Sequence, residues 1–147
     1  MVRAVHIVVW LLVLLIALVA PTSELLPVAT ATILGLLLFV LGFAIFAWAV
    51  AYLRTASLGV VAPVTEELVM VAAYRLVRHP QYLGIVVALV GLTVALRSLW
   101  ALAATLVLFV PVSICRAKLE ERAVARRFGA LWDDYVSRTK FLIPGIY

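Results

Sequence analysis

Apolar residues gather into four runs separated by short polar breaks. The first spans roughly Val5 to Ala20 and closes at Pro21. The second spans roughly Ala29 to Leu53, entered after Pro27 and ended at Arg54. The third spans roughly Gln81 to Leu96 and the fourth Leu99 to Ile114, ended by Arg97-Ser98 and by Arg116. A bilayer span takes about 20 apolar residues, so the third and fourth runs are a little short. Only Arg97-Ser98 separates them, which predicts a tight helical hairpin that stops short of a full crossing at its turn. From Leu119 the pattern changes. Leu119, Ala123, Val124, Phe128 and Leu131 recur at spacings of four, one, four and three, the narrow stripe of an amphipathic helix. The closing "FLIPGIY" reads as an apolar clip on the membrane surface. The pattern therefore predicts an all-α integral membrane fold, with about four transmembrane helices and a C-terminal cytoplasmic amphipathic helix. One domain covers 1–147, with a two-helix part at 1–56 and the loop, hairpin and tail at 57–147. The first run resembles a signal peptide. We read it as a retained helix, because everything after it is membrane-embedded as well.

Composition agrees. The chain is 67% hydrophobic and 13% charged, with a mean hydropathy of +1.24; a soluble domain averages about half and a quarter. The net charge of +5 does not point to nucleic acid, because the basic residues sit at the ends of apolar runs, as membrane anchors do. The single cysteine, Cys115, excludes an internal disulfide and a cysteine cluster for metal. Arg3, the Arg54 to His79 loop and the tail from Arg116 carry the positive charge, whereas the Pro21 to Pro27 loop carries only Glu24. The positive-inside rule then places both termini and the long loop on the cytoplasmic face of the membrane, with Arg97 the one dissenting charge. Small residues form a stripe on the third run (Gly84, Ala88, Gly91, Ala95) and another on the second (Ala31, Gly35, Gly42, Ala49), as close-packed membrane helices require. Trp48, Tyr52, Tyr82 and Trp100 lie near run ends, where interfacial aromatics belong.

The stretch "YRLVRHPQYLGIVV", Tyr74 to Val87, holds the densest candidate chemistry. Its plain reading is an anchor: arginines at headgroups, His79 held extended by the following proline, Pro80 at the first helical position and Tyr82 in the aromatic belt. Glu120 and Glu121 likewise read as surface charges, with Arg116 at i−4 for a weak pair. Neither reading accounts for convergence. Two antiparallel helices of similar length bring their outer ends together, so Arg78, His79 and Tyr82 should face Glu120 and Glu121 across a polar pocket beside lipid.

These residues resemble the isoprenylcysteine carboxyl methyltransferase and phospholipid methyltransferase superfamily of integral membrane enzymes. The resemblance runs from Leu68 to Pro144. It rests on "LVMVAAYRLVRHPQYLG", the hairpin, and "LEERAVARRFGALWDDYVSRTKFLIP", in that order and spacing. The family's frequent Gly-Pro before the tyrosine is replaced by Ala72-Ala73. The resemblance implies S-adenosylmethionine as methyl donor. Arg78 and His79, with Pro80 after them, are candidates for its carboxylate, and Glu120 or Glu121 for its amino group or ribose. Tyr82 is the candidate to pack on the adenine or ribose, and Tyr74, Phe128 and Tyr135 to close over them. No GxGxxG, Walker motif or HExxH occurs, and methyl transfer to an existing nucleophile needs no metal. The implied acceptor is a lipid-like or prenylated molecule reaching the site sideways from the bilayer. A carboxylate acceptor, the favoured one, wants a cationic guide such as Arg138 or Arg75. An amine wants a base such as Glu121 or His79. A non-enzymatic membrane module, and an NADPH-dependent reductase of related architecture, are the alternatives.

Overall fold

The computed structural model describes residues 2–53, 68, 70 and 72–145. Arg54, the 56/57 division and most of the Arg54 to His79 loop lie outside the described residues, as do Met1, Ile146 and Tyr147. The order is α1 (Val2–Val19), α2 (Val28–Leu53), a 3-10 turn (Ala72–Arg75), α3 (Pro80–Ala95), α4 (Leu99–Ala104), a π turn (Thr105–Phe109), α5 (Val110–Phe128) and α6 (Ala130–Arg138). Val28–Tyr52 and the continuous helix Leu99–Phe128 are long and apolar enough to cross a membrane; Ala4–Val19 and Pro80–Ala95 are shorter apolar helices.

Local chemistry sets the breaks. Pro80 opens α3 at the first helical position, where a missing N–H costs nothing. Leu96 and Arg97 close the helix, and the Ser98 side chain caps α4 by accepting from the Ala101 N–H at 3.3 Å. This is the hairpin expected between the third and fourth runs. The π turn ends just before Pro111, whose ring must clear the carbonyl of the preceding turn, so the helix widens there instead of breaking.

Helices α2 and α3 pack backbone to backbone through the two small-residue stripes. A methyl added at Gly42 would lie 2.2 Å from the Ala88 nitrogen, and one at Gly91 2.3 Å from the Phe39 nitrogen. Ala31 and Ala49 are fully buried on the same stripe. The chief neighbour of α3 is thus α2, not its hairpin partner. Helix α1 lies on the other side, where Val13 joins Leu89, Ala104 and Phe109 in a core cluster. Large apolar side chains such as Leu18, Leu37 and Val107 stand mostly exposed along the outside, the surface of a protein solvated by lipid.

Three expectations are corrected. The tail continues the fourth run as a helix, as expected, but only to Phe128. Gly129, at φ 51, then turns the chain into α6, so Leu131 lies beyond the break and the stripe from Leu119 is not one face. Tyr82 is buried, not part of an interfacial belt, and the clip does not lie outside: Phe141 and Leu142 are buried against Tyr82 and Ala117.

Candidate functional site

Three segments meet where α3 begins. Between the 3-10 turn and Pro80 the chain is non-helical, and its backbone pairs with the segment after α6. Val77 and Lys140 form an isolated parallel bridge. The Arg78 N–H donates to the Lys140 carbonyl at 2.8 Å and the His79 N–H to the Phe141 carbonyl at 3.2 Å. The third segment is α5, which presents Glu120 and Glu121.

Glu121 is the centre of one arm. It accepts from Arg78 Nε at 2.6 Å and from His79 Nε2 at 3.2 Å. A carboxylate can only accept, so His79 carries its proton on Nε2. Arg78 also donates from Nη1 to the Thr139 carbonyl at 2.7 Å and stacks over Phe141, 5.7 Å from its ring centre. Glu120 is the centre of the second arm. It accepts from the Tyr82 hydroxyl at 2.7 Å and from Arg116 Nε at 3.1 Å. The four charged side chains are only 9–19% exposed. Ion pairs this sheltered are far less screened than surface pairs, and removing one partner strands the other.

A roof lies over these arms. The Tyr135 hydroxyl donates to the Tyr74 carbonyl at 2.8 Å, and the Thr139 hydroxyl to the Tyr135 carbonyl at 2.7 Å. Burial pushes the Tyr135 phenol up to about 12, against a smaller opposing pull from Arg78. Burial, then Tyr135 and Glu120, raise Tyr74 further still. Both phenols therefore remain protonated donors. Among the described residues the buried Tyr74 hydroxyl has no hydrogen-bond partner.

Of the residues singled out in the sequence, the structure brings together Arg78, His79, Pro80, Tyr82, Glu120 and Glu121, with Tyr74 and Tyr135 above them. It does not bring three others. Arg75 is exposed. Arg138 is 74% exposed and pairs with Asp134 at 2.6 Å. Phe128 is half-buried at the end of α5, under the Arg127 guanidinium. Sequence reasoning missed a buried extension of the site. His6 Nε2 lies 3.0 Å from Ser113 Oγ, and Arg116 Nη1 lies 3.4 Å from His6 Nδ1. Arginine can only donate, so His6 Nδ1 accepts and its Nε2–H donates to Ser113. Helix α1 is thereby tied to the Glu120 arm. A histidine inside an apolar run was the available signal. Arg116 was visible as the charge that ends the fourth run and as the i−4 partner of Glu120, but not as a partner of His6, and Phe141 only as part of the clip.

A model of the phospholipid methyltransferase family matches residues 30–130, which is 101 of the 147. Neither a curated protein nor a solved structure matches the chain.

Proposed function

We propose a function from one premise: the chain belongs to the phospholipid methyltransferase family. It is thus a membrane protein of a methyltransferase family that acts on lipid-like substrates. The finer reading is an S-adenosylmethionine-dependent methyltransferase whose site is the Arg78–Glu121 cluster. Four helices (α1, α2, α3 and the Leu99–Phe128 helix) span the cytoplasmic membrane, with the cluster and both termini on the cytoplasmic face. The division at 56/57 separates a two-helix scaffold from the part that holds the site.

One observation carries the reading. Arg78, His79 and Tyr82 meet Glu121 and Glu120 across separations of 38 to 43 residues, and with Arg116 on Glu120 they form two sheltered charged arms. Their chemistry fits S-adenosylmethionine, which carries an anionic and cationic amino-acid end, a ribose diol and an adenine. Arg78 and His79 would hold the carboxylate by charge-assisted hydrogen bonds. Glu120 or Glu121 would hold the amino group or the ribose. The Tyr74 hydroxyl, unpartnered among the described residues, is a further donor, and Tyr82 and Tyr135 offer ring faces. When bound, the cofactor supplies a methyl group activated on a sulfonium centre. The protein aligns an acceptor with that methyl group and excludes water with the roof formed by Tyr74, Tyr135, Phe141 and Leu142.

Both glutamates are already engaged by cationic or hydroxyl donors. Neither is a free base, which favours an acceptor that needs none: a carboxylate, methylated on oxygen. A lipid amine is the second reading, favoured by the description of the matched family.

Calorimetric titration with S-adenosylhomocysteine tests the site. Glu121→Gln and His79→Ala should each weaken binding roughly tenfold to a hundredfold, the cost of about 1.5–3 kcal/mol for a lost charged hydrogen bond. Arg126→Gln, on the exposed side of α5, should bind as the parent does. Parent-like binding by both site variants would place the cofactor elsewhere.

A further inference from the structure

We propose that the α3–α4 turn forms a second lipid site, at the end of the bundle away from the charged cluster, which takes a glycerophospholipid through its phosphate and one acyl chain. The inference rests on the four-helix topology proposed above and is independent of the methyl-transfer chemistry.

Arg97 is the starting point. It adopts φ 55, the left-handed region that a non-glycine residue enters at a cost. Glycine would make this turn without strain, so the arginine is not there for the backbone. Its carbonyl accepts from the Ser23 N–H at 2.7 Å, which fixes the α1–α2 loop against the turn. Its Nε is buried without a hydrogen-bond partner among the described residues. Among the described residues Arg97 has no ion pair, although Glu24 stands exposed in the facing loop.

Depth turns this cation into a site. Helix α3 has 16 residues, which is about 24 Å of rise, against a hydrocarbon layer of about 30 Å. With the charged cluster at one surface, the Arg97 turn stops roughly 6 Å short of the other. A cation at that depth is expensive without an anion, and a short span draws headgroups down toward it. Beside it opens a cavity of about 280 Å³, lined by Leu25, Leu26, Val94, Leu99 and Leu102 as well as Arg97. One cation at the edge of an apolar hollow matches the junction of a phosphate and an acyl chain. The neighbouring Glu24 carboxylate favours a singly charged diester over free phosphate.

Native mass spectrometry on the delipidated full chain in detergent tests the site, using dioleoylphosphatidylglycerol, dioleoylglycerol and inorganic phosphate as probes. The parent should bind the phospholipid at least tenfold more tightly than the phosphate-free diacylglycerol, and should retain no inorganic phosphate. Arg97→Gln should lose about tenfold of phospholipid affinity, and Leu102→Trp, which fills the hollow, should weaken both lipids. Arg97→Gly keeps the turn and relieves its strain, so it should melt no lower than the parent yet lose its stabilisation by phosphatidylglycerol. Glu121→Gln, at the other end, should leave this binding unchanged. Parent-like phospholipid affinity in Arg97→Gln and Arg97→Gly overturns the site, as does its loss in Glu121→Gln. The topology is checked separately by labelling cysteines placed at Thr22 and Ser137 in a Cys115→Ser background. Reaction from opposite faces supports it, and reaction from one face refutes it whatever the lipid data show.

Discussion

Helix α3 is held on two sides by different physics. Against α2 it packs backbone on backbone, with glycines and alanines at the contact. Against α5 and the tail its opening turn is held by charge: Arg78, His79 and Tyr82 reach Glu121 and Glu120 through three sheltered bonds, and Arg116 braces Glu120 from within α5. In a membrane there is little hydrophobic drive between helices, so close approach and hydrogen bonding must hold the bundle. The α2–α3 seam gives rigidity and has no group able to do chemistry. The polar seam gathers every charged side chain found at the site. A seam that cannot move thus supports one whose groups must hold still.

The largest expected effect breaks the first seam. Gly91→Leu must place its branch where the Phe39 nitrogen and the Gly35 carbonyl already are, 2.3 and 2.6 Å from even a single added carbon. Both obstacles are backbone and cannot rotate away. The loss should exceed about 3 kcal/mol, the upper range of ordinary overpacking. Thermal unfolding in detergent should show no cooperative folded state, or a much lower midpoint. A parent-like midpoint would mean that α2 and α3 are not in backbone contact.

A smaller effect tests the second seam. Arg116→Met removes the donor to Glu120 and to His6 Nδ1 together. Breaking a buried pair by removing one partner costs about 3–5 kcal/mol, but Glu120 is 15% exposed and regains some water, so about 2 kcal/mol is expected. Adding Glu120→Gln to Arg116→Met should recover part of that loss, because no charge is then stranded. A double-mutant cycle on melting free energies reads the coupling. Additive effects would remove Arg116 from the seam.

These two seams were not equally legible in the sequence. The glycine and alanine stripes could be read because membrane helices leave few other uses for small residues at that spacing, and Gly35, Gly42, Gly84 and Gly91 sit where the stripes put them. The polar seam was legible where charge interrupts an apolar run: Arg78, His79, Glu120 and Glu121 flank a hairpin whose turn is only two residues long. It was illegible where contact depends on chain reversal. Phe141 reaches His79 only because Gly129 redirects the helix and a single parallel bridge returns the tail, and no periodicity encodes that. His6 lies more than a hundred residues from Ser113, so pattern alone could not connect them. Arg75 and Arg138 show the converse. Their charge made them candidates, yet charge alone does not say which way a helix faces.

Arg138 is therefore where the smallest effect is expected, and where the comparison can be sharpened. Its guanidinium bonds Asp134 at 2.6 Å, one turn back on α6, with both side chains at least half exposed. Exposed pairs of this spacing contribute about 0.3–0.5 kcal/mol. Arg138→Gln should lower stability by no more than that and leave S-adenosylhomocysteine affinity unchanged, since neighbouring Thr139 meets Arg78 through its carbonyl and not through the Arg138 side chain. Turnover with a long-chain lipid acid should stay within about twofold of the parent, roughly 0.4 kcal/mol in the barrier. A tenfold fall in turnover at unchanged affinity and stability would mean that α6 swings Arg138 onto a bound acceptor. The cationic guide would then come from outside the polar seam, and that seam would hold the cofactor alone.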